Sequence, residues 1–308
     1  MIAAAWLDTY LHAPRDLAAI EAEGLASRPD TMMIATGRAR LRVRRQMEAG
    51  RPAVILLPDG PNTIEQYDPI FERLRGRLSV VAIDPPGYGF SYATDPAALG
   101  FKGAVEALAE AVAQLGLERM VVTGPCANAY LAIGLAAACP EQTLGVIAAQ
   151  ATDLEGERRW VARAVDPAGF LRTPIIGQLT WGRAMVRQAM AVDRWYDTVV
   201  GPGFDTSAWR QTATWTVRCG CSNALATICQ QWFAEGGLDL PVVEAPAVIL
   251  WGAADPTHAR SDPQGLKAYL PRAEVRVLAG AGHFPDLEDP TAFEAAILEL
   301  AGGEAAAG

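Results

Sequence analysis

Short, unbroken apolar runs recur along the chain, separated by segments whose apolar residues fall at helical spacing. Ala53-Val-Ile-Leu-Leu57, Ser79-Val-Val-Ala-Ile83, Met120-Val-Val-Thr123 and Thr143 to Ala149 are runs of the kind buried on both faces of a parallel sheet. Between them, Thr63 to Arg75 puts Ile64, Tyr67, Ile70, Phe71 and Leu74 on one helical face, and Leu99 to Leu115 and Ala127 to Cys139 predict two further helices. Upstream, Thr31 to Thr36 and Ala39 to Met47 flank Gly37 as a hairpin, and the first 30 residues, rich in Ala and Leu, form a helical extension. The strand–helix rhythm predicts an α/β domain with a mostly parallel sheet covered by helices on both faces.

The rhythm stops near Asp153 and resumes at Ala247-Val-Ile-Leu-Trp251 and Glu274-Val-Arg-Val-Leu278. Residues 153–240 show helical patches and no clear strand, and they hold Trp160, Trp181, Trp195, Trp209, Trp215 and Trp232, six of the eight tryptophans. The sequence therefore predicts one sheet domain, 31–152 and 241–300, interrupted by a helical lid at 153–240. At 308 residues the chain suits one such domain with an insertion.

A formal net charge of -9 argues against nucleic acid, which calls for clustered Lys and Arg. The only dense basic stretch, Arg38 to Arg45, alternates with Leu41 and Val43 and reads as the solvated face of a strand. The N-terminus lacks a basic segment before an apolar run, and no stretch approaches the roughly 18 apolar residues that span a bilayer. With five cysteines and no secretory context, the expected compartment is a reducing cytoplasm with free thiols. Cys219, Cys221 and Cys229 lack a second paired spacing or a nearby His, so they read as buried small residues and no metal is expected. Nothing in the sequence points to an organic cofactor.

Candidate chemistry gathers in three loops, each just past a predicted strand, where ligands collect in open α/β sheets. Val121-Val-Thr-Gly124-Pro-Cys126-Ala-Asn128 runs from strand through turn to helix, so Cys126 sits at a helix N-terminus that would depress a thiol pKa and favour a nucleophile. Asp255 follows Leu250-Trp-Gly252-Ala-Ala and is placed to orient an imidazole. His283 follows Leu278-Ala-Gly-Ala-Gly282; of three histidines it alone has such a position, His12 lying in the extension and His258 reading as a loop surface residue. Asp153 is a reserve candidate for the acid.

These residues carry a resemblance. Over about residues 30–300 the chain resembles the α/β-hydrolase superfamily, nearest in layout to its haloalkane dehalogenase, epoxide hydrolase and esterase branch. Asp84-Pro-Pro-Gly-Tyr-Gly-Phe-Ser91 looks like that branch's Asp-x-Pro-Gly-x-Gly-x-Ser segment, and Trp251-Gly-Ala-Ala-Asp255 and Gly280-Ala-Gly-His283 resemble its acid and base motifs. The order Cys126, Asp255, His283 is the nucleophile–acid–base order of the fold. The resemblance implies Cys126 as nucleophile, His283 as base, Asp255 as its orienter, and Ala127 N–H as an oxyanion donor.

Two departures shape the expected reaction. The elbow carries Cys where the family has Ser or Asp. Attack on an sp³ carbon would leave a thioether that water does not cleave, so the substrate needs an acyl carbon and the intermediate is a thioester. Thioesterase, acyltransferase or cyclising release fits this chemistry, and ester hydrolysis is open to it. The substrate is a small-molecule acyl compound, free or borne on a carrier protein or coenzyme A. The oxyanion loop reads Asp59-Gly60-Pro61-Asn62 where the family has His-Gly-x, and Pro61 has no N–H, so either Asn62 donates from backbone or side chain or only Ala127 N–H remains. Asn128 replaces the second elbow glycine, and Asn tolerates unusual backbone angles. An ionised Asp59 near the sulfur would raise the thiol pKa. Two other functions stay open: non-covalent lyase or isomerase catalysis with His283 as base, and small-molecule binding without catalysis.

Overall fold

The structure, a computed structural model, describes residues 4–8, 30–60, 62–180, 189–210, 213, 224–233 and 238–302. The predicted helical extension is therefore described only at residues 4–8, which are helical; His12, Pro61, Trp181, Trp215, Cys219 and Cys221 lie outside the described residues.

The hairpin forms as read. β1 (Thr31–Ala35) and β2 (Ala39–Gln46) pair antiparallel with Met33 opposite Arg42. β3 (Ala53–Leu56) follows, then a 3-10 turn at Ile64–Tyr67 and helix α1 (Asp68–Leu74). The single helix predicted here is split because Pro69 opens the second piece: proline lacks an N–H and suits a first turn but not a helix interior. β4 (Ser79–Ile83), the short β5 (Tyr92–Ala93), α2 (Phe101–Leu115), β6 (Met120–Pro125), α3 (Ala127–Ala138) and β7 (Thr143–Ala149) complete the first part. The segment up to residue 246 supplies α4 (Leu154–Trp160), α5 (Ala189–Val199) and α6 (Ala224–Gln231), with no strand among its described residues. β8 (Ala247–Gly252), β9 (Ala273–Leu278), α7 (Pro285–Glu288) and α8 (Pro290–Leu300) close the domain.

The sheet order is β1-β2-β4-β3-β6-β7-β8-β9, antiparallel at β1 and β2 and parallel from β4 onward, with β5 paired to β2. Alternation along β3 shows why its run is apolar throughout. Ala53 and Ile55 join a core with Leu108 of α2 and Leu131 of α3, while Val54 and Leu56 join one with Phe71 of α1 and Phe293 of α8. Both faces are covered, so neither tolerates a polar side chain.

The basic stretch on β2 corrects the sequence reading. Arg42 and Arg44 are buried, not solvated, because β2 lies between β1 and β4 inside the sheet. Arg42 pairs with Glu65 at 2.5 Å and lies 3.8 Å from the buried Asp84; Arg44 pairs with Asp30 and Asp68. Charges removed from water persist where they are paired in this way.

Candidate active site

The parallel order sends six strand ends to one rim. Cys126, between β6 and α3, adopts φ 49° and ψ -127°, a left-handed conformation that costs a non-glycine residue energy and lifts its side chain off the strand. Gly124 permits this turn, since a Cβ there would occupy the carbonyl of Asn128. Cys126 N–H donates to Ala149 O at 2.8 Å, tying the turn to β7. Asn128 does not relax the elbow as expected: it is helical, and its side chain donates to Pro58 O at 2.6 Å, fastening α3 to the loop after β3.

That loop brings in Asp59, Gly60 and Asn62. Asn62 N–H is used locally, donating to Asp59 O at 2.7 Å. Its side-chain oxygen accepts from Tyr196 OH at 2.6 Å, while its buried Nδ2 has no partner among the described residues. Of the two expected sources of a donor, the side chain is the one left free. Gly60 passes against the Tyr88 ring. Ala127, first residue of α3, has an N–H with no acceptor inside the helix.

His283 Nδ1 lies 2.7 Å from Asp255 Oδ2, and Nε2 lies 3.6 Å from Asp59 Oδ2. The donor atoms of Asp59, Cys126 and His283 come within 4.8 Å of one another, as do those of Asp255, His258 and His283. Both groups hold atoms of the type zinc accepts, and none of these residues is assigned to a metal. Asp153 is not part of this arrangement; it caps α4 by accepting from Gly156 N–H at 2.8 Å.

Several residues that hold the site carry no sequence signal. Gln150, in a left-handed conformation with φ 46°, accepts from Gly252 N–H at 2.7 Å and reaches Asp255 Oδ2 at 3.3 Å. Thr257 donates to Asp255 Oδ1 from its backbone at 2.8 Å and its hydroxyl at 2.7 Å. Glu288 accepts from Gly201, Gly282 and Phe284 N–H groups, fixing the His283 loop. Glu157 of α4, fully buried, sets Oε1 3.9 Å from Cys126 Sγ.

His258 also departs from its reading as a surface residue. The 3-10 turn that starts at Asp255 folds back and buries the ring, which stacks on Trp160 with centroids 4.5 Å apart and lies 5.3 Å from His283. The tryptophans divide by role. Trp160 and Trp195 contact the His283 ring, whereas Trp232 packs on Phe101 and donates to Leu99 O, and Trp209 packs among Tyr196, Phe204 and Phe284.

Burial and charge set the protonation states. Burial pushes the Cys126 thiol up, and Asp59 and Glu157 push it the same way, so the helix N-terminus does not win and the resting sulfur is a thiol. Burial disfavours a cationic His283, yet its contacts with Asp255, Asp59 and Cys126 outweigh this and hold it protonated. Burial likewise opposes ionisation of Asp255, but bonds from His283 and Thr257 pull it down to about 2. Burial raises Asp59, making its carboxylate a stronger base than usual. It lifts Glu157 to about 8 and drops His258 to about 3.

No helix among the described residues is long and apolar enough to cross a membrane. A model of the "Alpha/beta hydrolase family" matches residues 54–296. No curated protein matches the sequence. Among solved structures the chain is similar to epoxide hydrolase A from Mycobacterium thermoresistibile, with 19% identity and a TM-score of 0.72, covering 88% of this chain and 97% of that one. The Bacillus megaterium epoxide hydrolase aligns at 18% identity and a TM-score of 0.68, covering 87% and 99%. The juvenile hormone epoxide hydrolase of the silkworm Bombyx mori aligns at 17% and 0.66, covering 86% and 73%. At these identities the likeness is one of fold.

Proposed function

We propose, since the chain belongs to the alpha/beta hydrolase family, that it is an acyl-transfer enzyme working through a thioester on Cys126 beneath a helical lid. The observation that carries this is the elbow itself. A thiol stands on a left-handed turn at φ 49°, with its sulfur within 4.8 Å of the donor atoms of Asp59 and of a histidine backed by Asp255. Epoxide opening, the activity named for the similar structures, fits a carboxylate nucleophile; on Cys126 it would end in a thioether that water cannot cleave.

The protonation pattern divides acid and base between two residues. In acylation the thiol proton passes to the Asp59 carboxylate and sulfur attacks the acyl carbon. The oxyanion is met by Ala127 N–H and Asn62 Nδ2. The bond to the leaving heteroatom breaks as His283 Nε2–H protonates it. In the second half-reaction the acceptor gives its proton to the now neutral His283 and attacks the thioester. Sulfur departs and recovers its proton from Asp59. Asp255 keeps Nδ1 oriented throughout. The substrate is a small acyl compound, free or on a carrier protein or coenzyme A, and the aromatic walls of Trp160 and Trp195 favour an apolar portion near the reacting carbon.

The test is turnover of a panel of acyl thioesters, activated esters and epoxides by the wild type, Cys126→Ala and His283→Ala. Acyl turnover in the wild type alone, with epoxides giving at most one alkylation per chain, is the expected result. A second reading has one observation in its favour: the resting sulfur is a thiol rather than a thiolate. It has His283 and Asp59 carry out proton transfer without a covalent step. Turnover that survives in Cys126→Ala and vanishes in His283→Ala selects it.

A further inference from the structure

Glu157 has no role in the scheme above, although its position touches the reacting atom. It sits on α4, fully buried, with Oε1 3.9 Å from Cys126 Sγ and Oε2 without a partner among the described residues. It does not serve its helix: Asp153 is the cap, and Arg158 and Arg159 both turn to Glu155, at 3.7 and 3.1 Å. The hydroxyl of the neighbouring Tyr130 donates its one proton to Thr152 O at 2.9 Å. A buried carboxyl oxygen left unpaired is costly, and such groups persist where something else completes them.

We propose that Glu157 selects the acyl group: the preferred substrates carry a hydroxyl one or two carbons from the acyl carbon. The inference rests on the acyl chemistry proposed for Cys126. When the acyl carbon is bonded to sulfur, the α- and β-carbons lie on the neighbouring atoms of the acyl chain, and a hydroxyl there meets the open Oε2. An acyl chain lacking that hydroxyl leaves the carboxyl unpaired, and buried polar sites discriminate strongly against such analogues.

The test compares matched N-acetylcysteamine thioesters, lactoyl against propionyl and β-hydroxybutyryl against butyryl, in the wild type, Glu157→Met and Glu157→Gln. Wild-type kcat/KM should favour the hydroxylated member of at least one pair by about ten- to a hundredfold. Glu157→Met should lose the preference through a fall on the hydroxylated substrate, and Glu157→Gln, whose amide like the neutral acid both accepts and donates, should keep most of it. Calorimetric binding of the corresponding carboxamides, which do not react, should follow the same order. This readout keeps the inference testable even where no thioester is turned over, an outcome that counts against the acyl chemistry alone. Equal handling of both pairs by the wild type, or a preference that persists in Glu157→Met, overturns the inference.

Discussion

Asp59 Oδ2 faces His283 Nε2 at 3.6 Å, so the imidazole is held between two carboxylates, Asp255 behind and Asp59 in front. The front carboxylate stabilises the imidazolium and disfavours a thiolate at Cys126. Asp59→Asn should therefore separate two properties that usually move together. Alkylation of Cys126 by iodoacetamide should reach its plateau at lower pH than in the wild type, because a negative neighbour has gone. Acyl turnover should fall by about 10²–10³, because the base has gone too. Unchanged turnover, or an alkylation profile moved to higher pH, contradicts this role.

Trp160 stacks on His283 with centroids 5.5 Å apart and planes 15° from parallel, and its Nε1 donates to Thr257 Oγ1 at 3.0 Å. The same hydroxyl donates to Asp255, so a residue of the insertion steadies both partners of the pair. Trp160→Phe keeps an aromatic face and loses the hydrogen bond; Trp160→Ala loses both. Turnover should fall in the order wild type, Phe, Ala, with kcat affected more than KM. A Phe variant as impaired as the Ala variant would place the whole effect in the hydrogen bond.

Gln150 holds β7 to β8 through Gly252 N–H and reaches Asp255 with the same amide. Gln150→Ala leaves the buried Gly252 N–H unpaired, a loss of about 1–3 kcal/mol. The expected outcome is a lower midpoint of denaturant unfolding together with reduced turnover. Gln150→Glu should be worse for activity, since it sets a carboxylate against Asp255. Wild-type stability in the Ala variant removes the structural role.

Much of this site was legible in the sequence, for a physical reason. Cys126, Asp255 and His283 each follow an apolar run, and parallel strands deliver whatever follows them to one rim, so order and local pattern were enough to bring them together. Glu157, Gln150 and Glu288 act on residues far along the chain, and no local pattern announces such contacts. His258 misled because three residues past a strand normally means solvent; here the 3-10 turn folds the ring inward. Arg42 and Arg44 misled because alternation with apolar residues marks an exposed face only when no acidic side chains cover it. The helix N-terminus favours a thiolate at Cys126, but burial, then Asp59 from the loop after β3 and Glu157 from α4, outweigh it; neither the burial nor Glu157 has a local pattern.

Glu157 at about 8 and Asp286 at about 7 are raised by burial above the ordinary values of 4.5 and 3.8. Each binds a proton in the folded chain that the unfolded chain releases, so stability is greatest below the ordinary values and falls as pH rises towards the raised ones. His283, held cationic in the fold, acts in the same direction. The melting temperature should therefore be higher at about pH 6 than at about pH 8.5, and Glu157→Gln should flatten the upper part of that decline. A melting temperature that climbs across this range contradicts the assigned protonation states.

The covalent step is the centre of the account, and intact-protein mass spectrometry tests it most directly. The protein is incubated with a panel of acyl thioesters and activated esters, quenched in acid and weighed, with peptide mapping of any adduct. The account predicts a mass gain equal to one acyl group, mapping to Cys126, absent in Cys126→Ala and formed more slowly in Asp59→Asn. Turnover of an acyl substrate with no adduct at Cys126, or with full activity in Cys126→Ala, contradicts it.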